Sequence, residues 1–220
     1  MTPALFITLE GTDGSGISTQ TARLAAWFRA EGLPVHATKE PSSGPIGLLL
    51  RLALTHRIGH VPDAESAAET AFHPLDETAM ALLFAADRID HLAVDVLPRL
   101  EQGVSVVSDR YALSSYAIQG LSIELDWLRS VNARARTPDL TILLDVPPEV
   151  SVERMRARGT VERYERYETL ERVRANFHRL VPVLRAAGQR IAVVDGSAPI
   201  DAVREAIVST VRERRAALTG

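Results

Sequence analysis

The sequence predicts a doubly wound α/β fold, in which helices flank a five-stranded parallel sheet. Apolar runs of strand length alternate with longer segments of helical periodicity, and such alternation is typical of a parallel sheet covered on both faces. The length of 220 residues suits one domain with at most a small inserted lid. No repeat, low-complexity tract or glycine- and serine-rich linker divides the chain, so we expect one domain over residues 1–220.

Five apolar segments have the length of buried strands, and six have the period of helices that pack on one face. The predicted strands are Leu5–Leu9, Val35–Thr38, Val104–Ser108, Leu140–Leu144 and Ile191–Val194. The predicted helices are Ser18–Ala30, Met80–Leu97, Leu125–Ala135, Glu149–Arg158, Leu170–Ala187 and Ile200–Ala217. Ligands bind such sheets at the carboxyl ends of the strands, so the residues after each strand are the first candidates for a site.

Two segments do not fit this alternation. Leu54–Asp76 contains one glycine and two prolines and is interpreted as a variable connection between helices. Arg154–Arg179 contains eight arginines, interspersed with glutamates. A charge run of this kind is usually a solvated helix face.

The composition excludes several classes of protein. The chain has no cysteine, which removes disulfide scaffolds, thiolate catalysis and cysteine-ligated metal centres. The net charge is −3, whereas proteins that bind duplex nucleic acid normally carry a basic excess, so we expect no nucleic-acid partner. No apolar run approaches the length of a membrane span, and Met1–Glu10 lacks the basic start of a signal peptide. We therefore expect a cytoplasmic protein without a membrane partner.

A glycine-rich loop follows the first predicted strand and precedes the first helix. The loop comprises Gly11, Thr12, Asp13, Gly14, Ser15, Gly16, Ile17, Ser18 and Thr19. In such a loop backbone N–H groups converge on a phosphate, and the helix dipole favours the anion. The pattern matches the P-loop GxxxxGK[ST] except that Ile17 stands where a lysine belongs. By itself the pattern also fits a strand–helix turn that binds nothing.

Charged side chains follow the next two strands. Lys39, the one lysine of the chain, ends the second strand, and Asp109 and Arg110 follow the third. An aspartate in this place can join the Mg²⁺ coordination shell, and the arginine can bind a phosphate, although the pair can also be a surface ion pair. Phe84 and Arg88 are four residues apart on one helix face. Judged by itself, a phenylalanine in such a place is more often part of the core than a platform for a stacked base.

Taken together, these segments resemble the thymidylate kinase family of P-loop nucleoside monophosphate kinases. The resemblance rests on FITLEGTDGSG, TKEPSSGPIGLLLR, LLFAADR, SDRYALSSYAIQG, PDLTILLDVPPE and ERMRARGTVERYE, in this order from about Leu5 to Phe177. Each motif is weak alone, whereas six in order are specific. The resemblance implies a P-loop-type sheet with an arginine-rich lid at about residues 154–168, ATP and Mg²⁺ as cofactors, and dTMP as substrate.

The resemblance also implies the roles of individual residues. The implied catalytic residues are Asp13, Arg110 and, in the lid, Arg163. The loop from Gly11 to Thr19 would bind ATP, and Arg156 and Arg158 would close over it. The dTMP site would comprise Asp13, Lys39, Arg51, Phe84, Arg88, Arg110, Ser115 and Gln119, with Phe84 stacked on thymine and Arg88 at its edge. Ser18 and Asp109 would serve Mg²⁺.

Two positions depart from the family pattern. Ile118 replaces the aromatic residue that usually precedes Gln-Gly and faces the sugar, and Tyr116 is the nearest ring that could take its place. Ile17 removes the ammonium group that normally neutralises phosphate charge during transfer. Three hypotheses follow: an active dTMP kinase in which a lid arginine substitutes for the lysine, a kinase for another nucleoside monophosphate, and a nucleotide-binding module without turnover.

Other features point less specifically to a function. His56 and His60 have the i,i+4 spacing of metal ligands, but the intervening Gly59 weakens a helix and no neighbouring carboxylate completes a zinc site. The family resemblance implies a homodimer, to which the apolar segment Leu82–Ala86 could contribute.

Overall fold

A computed structural model of the chain describes residues 3–59, 73–157 and 165–218. Its strands are β1 (Phe6–Gly11), β2 (Val35–Lys39), β3 (Ser105–Asp109), β4 (Leu140–Asp145) and β5 (Ile191–Asp195). They form one parallel sheet in the order β2-β3-β1-β4-β5. The predicted α/β fold is confirmed, and each strand begins and ends within two residues of its prediction.

The helices lie between the strands. They are α1 (Ile17–Ala30), α2 (Pro45–Leu54), α3 (Glu77–His91), α4 (Leu97–Glu101), α5 (Ala112–Ile118), α6 (Leu125–Val131), α7 (Pro148–Ala157), α8 (Glu165–Ala186) and α9 (Ile200–Ala216). A π-helical turn over Leu92–Val96 joins α3 to α4. The helical segment is therefore longer than the predicted helix Met80–Leu97, and the π-helical turn interrupts it. The interruption comes just before Pro98, which has no N–H to bond to the preceding turn and whose ring crowds the carbonyl there.

Two helices were not predicted. In α2, Gly44 precedes Pro45, whose fixed φ suits the first helical position, but the run that follows is apolar on nearly every side and lacks a clear period. Helix α5 is only seven residues long, and the side chain of Tyr111, which precedes it, makes no capping hydrogen bond. The connection predicted at Leu54–Asp76 lies between α2 and α3, and residues 60–72 of it are outside the described residues.

Both faces of the sheet are covered by apolar helix faces. On one face α1 and α9 pack against it through Leu24, Phe28, Ile207 and Val211. On the other face α5 and α8 contribute a second buried cluster that includes Phe177. Burying a side chain of this size contributes about 1.5–3 kcal/mol. The two layers hold the sheet in place and leave the carboxyl ends of β1, β2 and β3 at one edge, where the candidate site lies.

Within the described ranges, no helix has both the length and the apolar character needed to cross a membrane.

Candidate active site

The glycine-rich loop connects the end of β1 to the start of α1, as predicted. Gly16 precedes the helix with φ of +93°, and Gly14 has φ of +79°, a conformation that side chains with a Cβ rarely adopt. A Cβ on Gly14 would also lie 2.5 Å from the carbonyl oxygen of Ser151 on α7. The loop thus takes its shape from two glycines, one of which permits close contact with α7.

A cavity of about 290 Å³ opens in front of the loop. Its walls are the loop itself and the carboxyl ends of β2 and β3. Besides Thr12 to Thr19, it is lined by Lys39, Glu40, Asp109 and Arg110. The phosphate loop and the charged residues that follow β2 and β3 are therefore brought together.

Ser18 and Asp109 both line this cavity. Ser18 is exposed in the first turn of α1, and Asp109 ends β3, which pairs with β1 beside the loop. A hydroxyl and a carboxylate are hard oxygen donors, and Mg²⁺ is usually bound by one or two such groups together with phosphates and water. The residues present fit a magnesium ion.

Arg110 connects the phosphate loop to α5. Its Nη1 donates to the carbonyl oxygen of Gly11 at 2.9 Å and to Ser114 Oγ at 3.0 Å, and its Nη2 donates to Asp13 Oδ1 at 2.7 Å. Its backbone has φ of +68°, unusual for a residue with a Cβ, which is typical of functional positions. The structure thus joins the two predicted catalytic side chains of the described region, Asp13 and Arg110.

Glu10, which the sequence analysis did not identify, lies behind Arg110. Ser114 donates its hydroxyl proton to Glu10 Oε2 at 2.5 Å and its backbone N–H to the same oxygen at 3.1 Å. Burial raises the pKa of Glu10 to about 7, although the hydrogen bond from Ser114 and the charge of Arg110 oppose the rise. Oε1 of Glu10 has no hydrogen-bond partner among the described residues. In the sequence, the one indication of a buried glutamate here is its position at the end of a run of apolar strand residues.

A second cavity, of about 270 Å³, adjoins the first and shares Asp13, Glu40 and Arg110 with it. Besides Asp13 and Arg110, four further predicted substrate residues line it: Phe84, Arg88, Ser115 and Gln119. Both polar atoms of the Gln119 amide are buried and have no partner in the described part of the chain. An unsatisfied buried amide costs free energy, which a ligand with both a donor and an acceptor would recover.

Arg88 is 1% exposed and lies in a network of buried polar side chains. Its Nε and Nη2 are 3.0 and 2.8 Å from Glu40 Oε2, Nη2 donates to Ser115 Oγ at 3.0 Å, and Nη1 donates to Asn132 Oδ1. The guanidinium also lies 5.1 Å from the ring centre of Tyr111. The sequence analysis missed Glu40 and Asn132, because nothing near them in the chain indicates that they meet Arg88.

The neighbouring Asp87 fixes the loop after β2. It accepts a hydrogen bond from the backbone N–H of Ser42 at 2.7 Å and one from the Ser42 hydroxyl at 2.6 Å. Arg51, predicted at the substrate phosphate, donates to the carbonyl oxygens of Pro41 and Ser42 in the same loop. Its guanidinium is thus bound to the segment that carries Lys39 and Glu40.

His91 extends the network from the other side of Glu40. Burial alone would lower its pKa, but the hydrogen bond to Glu40 and the charges of Glu40 and Asp95 raise it. Nδ1 lies 3.5 Å from Glu40 Oε1, and Nε2 lies 2.7 Å from Thr38 Oγ1.

The two departures from the family pattern are both visible. Ile17 is 4% exposed and packs in the core with Leu9, Ile142 and Leu144, so its side chain extends the core where a lysine would supply charge. Ile118 is 43% exposed at the mouth of the second cavity. Tyr116, considered as its replacement, is buried with Phe177 in the core and does not line that cavity.

A third cavity, of about 200 Å³, lies on the other side of the loop. It is lined by Ser15, Gly16, Thr19, Gln20, Arg154, Gly196, Ala198, Ile200 and Val203. Arg154 donates to the carbonyl oxygen of Gly196 at 2.9 Å. The sequence analysis placed Arg154 in the lid without a role. The predicted ATP ligand Arg156 is exposed at the end of α7, while Arg158 and Arg163 lie outside the described residues, as does His60.

The family model for thymidylate kinase matches residues 9–207 of the chain. A probable thymidylate kinase of Pyrococcus abyssi is 40% identical over 212 residues, which cover 94% of this chain and 95% of that protein. A thymidylate kinase of Clavibacter michiganensis is 39% identical and one of Methylobacillus flagellatus 36%, over 97% and 96% of this chain and 95% and 98% of the respective relative. The chain belongs to the thymidylate kinase family.

Proposed function

We propose that the protein is a dTMP kinase, which transfers the γ-phosphoryl group of ATP to dTMP and so forms ADP and dTDP. The observation that carries this proposal is a row of three cavities. The phosphate loop lines the middle cavity and the one that contains Arg154, and Asp13 and Arg110 line both the middle cavity and the one that contains Phe84. A phosphoryl transfer needs this arrangement, because donor and acceptor must meet at a site of positive charge.

ATP binds with its phosphates on residues Gly11 to Thr19. The loop N–H groups and the amino end of α1 attract the anion without any side-chain charge. The cavity with Arg154 receives the adenosine, and Arg156, Arg158 and Arg163 of the lid at about residues 154–168 close over the nucleotide. Ser18 and Asp109 hold Mg²⁺, which neutralises phosphate charge when it is bound.

The substrate dTMP occupies the cavity of Phe84 and Arg88. Phe84 offers a ring face to the thymine base, and Arg88 donates to its 4-oxo group. The unpartnered amide of Gln119 and the hydroxyl of Ser115 meet the sugar and the base.

The substrate phosphate lies beside Arg110, with Lys39 and Arg51 near it. Arg110 and Asp13 position the acceptor phosphate and the transferring group. Because the chemistry needs positioning and charge neutralisation, and no covalent intermediate, these side chains suffice if enough positive charge surrounds the γ-phosphate.

Because the buried side chain of Ile17 carries no charge, an active enzyme needs another cation near the γ-phosphate. Among the described residues, Lys39 and Arg110 line the same cavity as Ile17. The lid contributes Arg163, and an arginine that contacts the transition state accelerates transfer by about 10³-fold or more. We propose that Arg163 is the principal substitute for the lysine.

The test is a coupled assay of ADP release with dTMP, dUMP, dCMP and UMP as acceptors. We expect dTMP and dUMP to be phosphorylated in preference to dCMP. Preference for another nucleotide would indicate a different monophosphate kinase. An inactive parent that becomes active as Ile17→Lys, with ATP binding unchanged, would indicate a nucleotide-binding module.

A double-mutant cycle on Ile17→Lys and Arg163→Ala tests the substitution of charge, with Lys39→Met as a parallel variant. Arg163→Ala should reduce turnover by about 10³-fold in the parent and less in Ile17→Lys. Full activity of Arg163→Ala together with a loss in Lys39→Met would assign the role to Lys39. The affinity for ATP, measured separately, should be similar in all variants.

Base stacking is tested with Phe84→Ala. The variant should lose about 1–3 kcal/mol of dTMP binding if thymine stacks on the ring. An unchanged affinity would mean that Phe84 only packs in the core.

The proposal extends to assembly and location: one domain over residues 1–220, acting as a homodimer in the cytoplasm. Leu48 and Leu49 on α2 and Leu82 and Ile89 on α3 are exposed, and these two helices contact each other. Exposed apolar side chains on adjacent helices are typical of subunit interfaces. Sedimentation of the parent and of Leu82→Arg should give a dimer and a monomer, respectively.

A further inference from the structure

The hydrogen bonds of Arg88 leave one of its protons without an acceptor. A guanidinium group has five N–H donors, one on Nε and two on each Nη. Nε and Nη2 face Glu40 and Ser115, and Nη1 gives one proton to Asn132 Oδ1. No acceptor within the described ranges takes the second Nη1 proton, and Arg88 lines the cavity of Phe84. The spare donor therefore belongs to the nitrogen that Asn132 holds.

The orientation of the Asn132 amide is itself fixed. Its Nδ2 donates to the carbonyl oxygen of Leu128 at 2.8 Å, at the carboxyl end of α6. A flipped amide would direct two donors at Arg88 and its oxygen at the Leu128 carbonyl, so only one orientation satisfies both neighbours. The residue is 5% exposed, so bulk solvent does not compete with these two partners. Asn132 thus offers Arg88 an acceptor in a fixed position.

We propose that Asn132 is a positioning residue for base recognition: it occupies one Nη1 proton of Arg88 and so leaves a single, oriented donor for the base. This inference rests on the proposed function, since it assumes that the base binds beside Arg88. A fixed N–H donor hydrogen-bonds to the 4-oxo group of thymine, which is an acceptor, and disfavours the 4-amino group of cytosine, which is itself a donor. Asn132 thereby sharpens the choice between the two bases without touching either.

Two substitutions separate this role from simple support of the fold. Asn132→Ala and Asn132→Asp both lose the hydrogen bond to Leu128, but only Asn132→Asp keeps an acceptor for Arg88. A base preference that Asn132→Asp keeps and Asn132→Ala loses therefore reports the acceptor for Arg88. Should Asn132→Ala not fold, Asn132→Leu removes the same acceptor while preserving the volume of the side chain.

Asn176 provides a matched control. It is 6% exposed, its Nδ2 donates to the carbonyl oxygens of Tyr116 and Ala117, and its Oδ1 accepts from Arg179. Like Asn132 it joins an arginine to the end of a helix, but its arginine does not line the cavity. Asn176→Ala should lower the unfolding midpoint as Asn132→Ala does and leave base preference unchanged.

The measurements are KM and kcat for dTMP and the inhibition constant of dCMP as a competitor, which is obtained whether or not dCMP is phosphorylated. In Asn132→Ala, the preference for dTMP over dCMP should fall about tenfold, because a hydrogen bond to a charged group is lost. The change should arise from a higher KM, with kcat at saturating dTMP within about threefold of the parent. Asn132→Asp should retain most of the preference.

Three results would overturn the inference while the parent phosphorylates dTMP: an unchanged preference in Asn132→Ala, an equal loss in Asn132→Asp, or an equal loss in Asn176→Ala. A parent that does not phosphorylate dTMP would instead contradict the proposed function. The two failures are thus distinguished by the parent enzyme.

Discussion

The phosphate loop uses consecutive residues, 11–19, whereas the cavity beside it collects its polar side chains from separate segments between Asp13 and Gln119. The loop relies on backbone groups and on glycines with positive φ, Gly14 and Gly16 among them. The cavity relies on Arg88, which reaches Glu40 and Asn132 across 48 and 44 residues of chain. A site built from backbone tolerates changes of side chain such as Ile17, but a site built from a buried side-chain network depends on every member.

The largest effect is expected when the network loses its carboxylate. Glu40→Gln preserves shape but leaves the Arg88 charge buried and unpaired, which should cost about 3–5 kcal/mol of unfolding free energy. The control is Glu31→Gln, which breaks an ion pair to Arg212 whose side chains are 44% and 61% exposed. It should cost less than about 1 kcal/mol. Urea unfolding of both variants checks the difference, and equal losses would refute it.

The next effect tests the backbone of the loop. Gly14→Ala should destabilise the protein by about 3 kcal/mol, because the positive φ adds about 1–2 kcal/mol and the new Cβ meets Ser151. Gly103 has the same φ of +79°, and a Cβ added there would meet no packed neighbour within 4 Å, so Gly103→Ala isolates the cost of the dihedral angle alone. Denaturation of the pair measures the contact with α7. Equal stability losses would show that this contact is not tight.

The pH dependence of stability should depend on Glu10, at the junction of the two regions. Its pKa of about 7 lies above the ordinary value of 4.5, so the folded state holds the proton more tightly than the unfolded state. The stabilisation that protonated Glu10 contributes is therefore complete below about pH 4.5 and is lost as the pH rises through 7. This contribution to the unfolding free energy should change by about 2–3 kcal/mol between pH 5 and 8. The difference in unfolding free energy between the parent and Glu10→Gln should shift by this amount. A constant difference would contradict it.

The smallest effect concerns the sugar. Ile118→Phe places a ring at the mouth of the cavity, where an isoleucine that is 43% exposed now stands. The ratio of kcat/KM for dUMP to that for UMP should rise about fivefold, close to 1 kcal/mol, because the ring crowds a 2′-hydroxyl. Tyr116→Phe, a change within the core, serves as the control and should leave the ratio as it is. An unchanged ratio in Ile118→Phe would show that this position does not discriminate between deoxyribose and ribose.

The difference between the regions also explains what the sequence could predict. The loop and the strand ends are local patterns, and they lie where the sequence analysis expected them. Phe84, Arg88, Ser115 and Gln119 line one cavity, and their roles stay predictions. Glu10, Glu40 and Asn132 were missed because their roles come from burial and from contacts that join distant parts of the chain, as in the bond between Ser114 and Glu10 across 104 residues. Arg158 and Arg163 stay predictions.

The central position of β1 has a consequence for synthesis of the protein. The hydrogen-bond partners of Arg88 in the described part of the chain belong to residues 40–132, and these emerge from the ribosome before β4, which starts at Leu140. A nascent chain of that length contains β3, one neighbour of β1, and lacks the other. An unpaired strand edge is a template for wrong association. Emergence of Leu140–Asp145 is thus the step at which the growing chain covers the second edge of β1, whose six residues are all buried.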